Sequence, residues 1–289
     1  MCCGLQAIII STGLYTMKKR ISLVHYINSA PLGWAFLHGP FRGMFEVVSS
    51  SPALCAEQLS KGEVDIGLIP SIEYQRIPGL RIISDISISS SAKVRSILLV
   101  RPLGSKKIDS VAMDTSSRTS VALLQVLLHA KMGITPRLVP HPPNLSEMLA
   151  YCDAALLIGD AALQVRLNEY DTVDLAEEWV DWQQKPFVFA FWALRNDSAV
   201  PKDVEAIFRE AKDWGLKAKR EIAEAYAGPL DLPGSFLERY LSKNIDYSMG
   251  PEHIEGLNTF YHLARQENIV AEERQLRFFS DSKSARIGS

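Results

Sequence analysis

Ser110-Val111-Ala112-Met113, then Asp114-Thr115-Ser116-Ser117-Arg118-Thr119-Ser120, then an apolar helical pattern over 121–132, reads as a strand that turns abruptly into a helix. Such a turn aims the free backbone N–H groups of the helix at whatever lies above the sheet. Hydroxyls and one guanidinium crowd this turn, and all of them are donors suited to a carboxylate or a phosphate. Taken alone, the same residues also describe a capped surface helix, because Ser and Thr are ordinary N-caps. The neighbouring segments have to decide between the two.

Working outward, the strand-turn-helix logic recurs. Residues 21–24 read as a buried strand, 25–31 as the loop after it, and Pro31 as the first turn of a helix to about Leu37. A strand over 45–48 leads into Ser49-Ser50-Ser51-Pro52, where Ser51 caps a helix that Gly62 ends. A third strand over 64–69 precedes Pro70-Ser71 and a short helix, and β character continues over 80–88 and 94–100. Beyond the opening stretch, Gly133 closes its helix, 137–139 is a short strand, and a helix runs through Leu149. Residues 154–158 form a buried strand, with Gly159-Asp160 starting a helix over 161–167. Residues 187–194 are apolar throughout, so that strand must be covered on both faces. Helices are expected over 202–227, 234–241 and 251–265, and a polar, frayed tail over 271–289.

Strands alternating with helices predict an α/β protein whose mainly parallel sheets carry helices on both faces. Ligands of such sheets bind outside the carboxyl ends of the strands. That rim collects Asn28, Ser49, Ser50, Ser51, Ser71, the turn from Ser116 to Ser120, and Asp160.

The 289 residues allow two domains or one large one, and the formal net charge of -2 gives no support for nucleic-acid or membrane-surface partners. An anionic ligand would then be held by local donors. Four scattered Cys without metal spacing fit a reduced, cytoplasmic setting. Residues 1–16 lack a basic n-region and a span long enough for a bilayer, and are read as an upstream extension before Met17. No P-loop, dinucleotide glycine fingerprint, zinc spacing or nucleophile elbow occurs, so neither a cofactor nor a metal is expected. Asn28 suits a carboxylate or hydroxyl, or is a turn residue. Asp160 is an N-cap or a base, Arg118 pairs with a carboxylate or points to water, and Glu73 is a base or a solvated first-turn acid. His25 is the histidine nearest the rim.

In order, Val24-His25-Tyr26-Ile27-Asn28-Ser29-Ala30-Pro31-Leu32, Gly62-Glu63-Val64-Asp65-Ile66-Gly67-Leu68-Ile69-Pro70, Asp114 to Ser120, Asp153-Ala154-Ala155-Leu156-Leu157-Ile158-Gly159-Asp160-Ala161 and Pro186-Phe187-Val188-Phe189-Ala190 resemble the chorismate dehydratase family of the futalosine route to menaquinone. The resemblance implies a type II periplasmic-binding-protein fold, with one lobe from 17–100 plus 195–270 and a second from 101–194. It implies a cytoplasmic, cofactor-free enzyme that removes water from chorismate to give 3-[(1-carboxyvinyl)oxy]benzoate. Asn28 and Ser96 would be catalytic; Ser49 to Ser51, Ser71, Ser116, Ser117, Arg118, Thr119, Ser120 and Asp160 would bind substrate. Ser29-Ala30 and Gln183-Gln184-Lys185-Pro186 depart from the family pattern, the second at the cleft edge near Lys185.

No general base is evident at the rim, so the substrate's enolpyruvyl carboxylate is expected to take the proton while the protein holds its conformation. Two alternatives stay open: the sister enzyme that makes 1,4-dihydroxy-6-naphthoate, which would need a protein base, and a non-catalytic receptor for a small carboxylate. An effector domain of a transcription regulator fits less well, because no DNA-binding helix pair precedes Ile21. In all of these readings the opening turn positions an anion.

Overall fold

The computed structural model describes residues 18–280; the reading of 1–16 as an extension lies outside them. The chain builds two five-stranded sheets. The first has the order β2-β1-β3-β10-β4, from β1 (Arg20–Val24), β2 (Glu46–Ser50), β3 (Ile66–Pro70), β4 (Leu80–Ser90) and β10 (Phe187–Arg195). The second has the order β7-β6-β8-β5-β9, from β5 (Ile97–Pro102), β6 (Ser110–Asp114), β7 (Arg137–His141), β8 (Ala154–Ile158) and β9 (Tyr170–Asp174).

Neither sheet is purely parallel. β1 pairs in parallel with β2 and β3, and β6 with β7 and β8. β10 runs antiparallel to β3 and β4, and β5 antiparallel to β8 and β9. The reason is the chain path. Each crossing strand arrives from the other lobe, so it starts at the sheet end where its parallel neighbours finish. The pairing puts β5 in the second sheet and β10 in the first, so the chain changes lobes before Ile97 and before Phe187, earlier than the expected boundaries at 100 and 194.

The apolar strand β10 is indeed covered on both faces, with Phe187, Val188, Phe191, Trp192, Ala193 and Leu194 all buried. The sequence pattern does not announce β9 or α7 (Leu175–Gln183). β9 is a half-buried edge strand rich in Asp and Thr, so it lacks a hydrophobic alternation. Asp174 caps α7 by accepting from the backbone N–H groups of Ala176 and Glu177.

The helices follow the pattern more closely. α1 (Ala30–Leu37), α2 (Pro52–Lys61), α3 (Glu73–Arg76), α4 (Arg118–Val126), α5 (Leu145–Tyr151) and α6 (Gly159–Leu163) follow strands or turns of the two sheets. α4 continues into a π-helical turn, Leu127–Lys131. α6 stops earlier than expected, and Arg95 donates to the carbonyls of its last two residues, Ala162 and Leu163, and to that of Val165 beyond them. The long helix expected over 202–227 is two, α8 (Val204–Lys217) and α9 (Lys219–Leu230), broken at Ala218. Gly215 lets α8 lie against α1, since a Cβ there would meet the Pro31 carbonyl oxygen at 1.9 Å. α10 (Gly234–Lys243) and α11 (Pro251–Gln266) complete the helical C-terminal part.

The expected fraying does not apply to the described part of the tail. Residues 271–280 are tied to the first lobe: Gln75 accepts from the Arg274 N–H and donates to its carbonyl. Phe279 N–H donates to the Ile82 carbonyl at 2.9 Å. Polarity alone misleads here, because these bonds are made by backbone groups that every residue carries. A large apolar core runs through both lobes, with a smaller one on the outer side of the second sheet.

Candidate active site

β1 and β3 of the first sheet and β6 and β8 of the second end facing one another, and a small cavity of about 50 Å³ lies between them. Val24, Tyr26, Asn28 and Pro70 line it from the first lobe, and Ser117, Ser120, Ile158 and Gly159 from the second. Pro52, Ile88, Ile97, Phe189 and Ala190 complete a wall that is mostly apolar with a few polar groups. Roomier hollows, such as one bounded by Arg95, Leu163, Phe236 and Arg239, open on the outside, away from the strand ends.

The lobes are closed over this cavity. The Tyr26 hydroxyl donates to Ser116 Oγ at 3.0 Å, and the Ile27 N–H donates to Asp160 Oδ1 at 3.1 Å. The Ile72 N–H donates to Thr119 Oγ1 at 3.2 Å, and Arg118 Nη1 meets Glu73 Oε2 at 2.7 Å. Gly159, at φ +57°, is required where the lobes touch: a Cβ would stand 2.9 Å from the Tyr26 ring.

The predicted site residues divide sharply. Asn28, Ser117 and Ser120 line the cavity. Asn28 sits in a 3₁₀ turn (Ile27–Ser29), and its Oδ1 is buried without a hydrogen-bond partner among the described residues. Ser117 caps α4, and its Oγ lies 2.9 Å from the Ser120 Oγ to which it donates. That leaves the Ser120 hydroxyl proton free to point elsewhere, beside the positive end of α4.

Ser116, Thr119, Arg118 and Asp160 are engaged in holding the two lobes together, as described above. Ser116 also donates to Asp114 Oδ1 at 2.6 Å. Ser71 is wholly buried and donates to the Val188 carbonyl at 2.8 Å, beneath the cavity floor. Ser96 is likewise buried, and its Oγ accepts from the Tyr240 hydroxyl at 2.8 Å, one residue away from the lining Ile97. The three serines at the end of β2, Ser49 to Ser51, do not line the cavity, contrary to expectation. Ser49 is exposed, Ser50 Oγ donates to Gln58 Oε1 at 3.0 Å, and Ser51 caps α2. β2 is the edge strand of its sheet, one strand removed from the cleft wall that β1 provides. His25 is exposed, with Nδ1 2.9 Å from the Ser50 carbonyl oxygen.

Tyr26 is the lining residue that residue-by-residue reading misses, although it stands inside the loop 25–31. Its signal is an aromatic ring with one polar tip directly before a glycine-free 3₁₀ turn, which identifies a residue able to close a gap and donate across it. Burial pushes its phenol upward. Burial also raises the Asp160 carboxyl to about 6, against the lowering effects of the Ile27 N–H and of His25. The Asp114 carboxyl is raised by burial too, against the hydrogen bonds it accepts from Ser116. Among the described residues no cluster of His, Cys, Asp and Glu could hold a metal ion, and no helix is long and apolar enough to cross a membrane.

Two α/β lobes, joined by two crossings and closed over a cleft at their strand ends, define a periplasmic-binding-protein-like fold. Solved structures of that kind overlay well. Protein AF1704 of Archaeoglobus fulgidus matches with a TM-score of 0.73 at 16% identity, over 89% of this chain and all of that one (100%). The Candida albicans CA3427 product, described as having the generic periplasmic binding protein fold, gives 0.64 at 13% identity over 89% of this chain and 92% of its own. The alkanesulfonate-binding protein SsuA of Xanthomonas axonopodis pv. citri gives 0.60 at 15% identity, over 88% and 94%. The chain itself belongs to the menaquinone biosynthesis family, whose model matches residues 19–266. It is 33% identical to the chorismate dehydratase of Thermus thermophilus, over 83% of this chain and 93% of that protein.

Proposed function

We propose that this protein is a chorismate dehydratase, a hydro-lyase that converts chorismate to 3-[(1-carboxyvinyl)oxy]benzoate within menaquinone biosynthesis. Its identity to the Thermus enzyme over nearly the whole of that chain carries the reading. The cavity supports it. At neutral pH chorismate is a dianion whose one hydrogen-bond donor is its ring hydroxyl, and Asn28 Oδ1 is a buried acceptor lacking a donor among the described residues. The two meet different needs of one complex.

The reaction removes the proton on the ether-bearing ring carbon and breaks the bond from its neighbour to the hydroxyl. The electron pair left by the proton forms the last double bond of an aromatic ring, and the proton joins the departing hydroxide as water. Aromaticity supplies the driving force, so positioning dominates what the protein contributes. Asn28 orients the hydroxyl, and Ser117, Ser120 and the free N–H groups of the first turn of α4 hold a carboxylate. Among the described residues no carboxylate or imidazole lines the cavity. The enolpyruvyl carboxylate of the substrate therefore takes the proton, folded over the ring by the apolar walls. Closure of the lobes excludes water from that transfer.

Incubation of the purified protein with chorismate, followed by ultraviolet absorbance, tests the assignment. Aromatisation of the ring is expected; binding without spectral change would identify a receptor instead.

A further inference from the structure

We propose that Glu73 is a positioning residue that latches the closed cleft through Arg118, and that Arg118 is thereby withheld from the substrate. Glu73 opens α3, shortly after the cavity-lining Pro70, and is 2% exposed. Its two oxygens take different arginines. Oε1 meets Arg76 Nη1 at 2.8 Å within the first lobe, and Oε2 meets Arg118 Nη1 at 2.7 Å across the cleft. Arg118 begins α4 between the two lining serines, Ser117 and Ser120. Next to the ion pair, Thr119 Oγ1 accepts from the Ile72 N–H and lies 3.4 Å from Ser71 Oγ. One short segment of the first lobe thus grips the donor turn of the second.

A buried carboxylate is tolerated only when its charge is matched and its oxygens are hydrogen-bonded. With the lobes apart, Glu73 keeps Arg76 and gains water; with them together, it needs Arg118. Such a pair adds little to overall stability, but it admits one register of closure and disfavours others. Ser117 is shared between the inner cavity and an outer hollow lined by Arg76, Asp114 and Arg118, so the pair stands at the outer edge of the closed cleft. This placement explains why a guanidinium in a carboxylate-binding turn serves the protein and not the ligand.

The test compares Glu73→Gln, Arg118→Gln, Arg118→Lys and the double variant Glu73→Gln/Arg118→Gln. It reads steady-state kinetics with chorismate, which rest on the proposed function, and the ligand-free closed fraction from energy transfer between dyes on the two lobes, which does not. Glu73→Gln and Arg118→Gln are each expected to raise KM about tenfold, with a much smaller change in kcat and a lower closed fraction. The double variant should be no worse than either single one, and Arg118→Lys should recover part of the loss. A substrate-ligand role for Arg118 predicts the opposite pattern: freeing it by Glu73→Gln would leave or lower KM while Arg118→Gln raises it. That result, additive losses in the double variant, or a closed fraction unchanged by Arg118→Gln would each overturn the latch. Should Glu73→Gln fail to fold, the two Arg118 variants, whose side chain is 41% exposed, decide by the closed fraction. Absence of turnover in the unmodified protein would refute the functional reading alone.

Discussion

The Tyr247 hydroxyl donates to the backbone carbonyl of Asn28 at 2.9 Å, although Tyr247 belongs to the C-terminal part and lines no wall of the cavity. Two other buried tyrosines act alike. Tyr261 donates to the Ser71 carbonyl at 2.6 Å, and Tyr240 to Ser96 Oγ at 2.8 Å. The helices α10 and α11 and the segment joining them therefore hold the cavity loops from behind. Replacing Tyr247 with Phe should cost about 1 kcal/mol of stability, the net worth of one hydrogen bond. It should also lower kcat/KM roughly fivefold by loosening Asn28. Thermal unfolding measured with kinetics checks this; a loss of stability at unchanged kcat/KM would make the bond purely structural.

Gly159→Ala should be damaging out of proportion to one methyl group. The position combines a positive φ with a Cβ direction that runs into the Tyr26 ring. We expect a loss of about 1–2 kcal/mol from the backbone conformation and a fall in activity of roughly tenfold or more as Tyr26 is pushed off Ser116. Activity and melting temperature like those of the unsubstituted protein would contradict the close contact between lobes.

Asp160 gives stability a definite pH sign. Its folded-state pKa, about 6, lies above the ordinary carboxylate value because of burial, so the folded state holds a proton that the unfolded chain releases. The favourable contribution is complete below the unfolded pKa and is lost as pH rises through the folded one. Asp160→Asn should therefore match the unsubstituted protein in stability near about pH 3 and exceed it by on the order of 2 kcal/mol near about pH 7.5. Denaturant titrations at both pH values measure the gap. An equal gap at the two would show that Asp160 is not desolvated in solution.

Asn28→Ala should lower kcat by about a hundredfold, in the range of an orienting or charge-stabilising group. His25→Gln should change kcat less than about threefold, because His25 is exposed and bonded to a backbone carbonyl outside the cavity. Steady-state kinetics on the two variants separate the roles; reversed sensitivities would place the proton transfer on His25.

How much of this was legible in the sequence depended on what each residue type reports. Strand-to-helix turns are local, so the stretch from Ser110 to Ser120 announced both its strand and its helix, and α2 its Ser51 cap and Gly62 stop. The antiparallel return of β10 was not legible, since apolar runs carry no direction. At the rim, the donors were recognisable as donors, but their targets were not. Ser117 and Ser120 face the cavity, whereas Thr119 and Arg118, in the same turn, face the other lobe. Helical geometry splits one turn between two directions, and only the partner lobe says which direction is which. Ser49 to Ser51 differ for a related reason: Ser50 is turned to Gln58 and Ser51 to the cap of α2, while the neighbouring Pro52 is the residue of that turn that lines the cavity.

The central claim is that this cleft dehydrates chorismate by holding it. The most direct measurement is proton NMR of chorismate incubated with protein that has been treated with a chelator and dialysed, with no cofactor added. The account predicts loss of the ring hydroxymethine signal, appearance of a substituted benzoate, and retention of both vinyl protons of the enolpyruvyl group. Unchanged chorismate in the presence of correctly folded protein, or release of pyruvate in place of water, would contradict it.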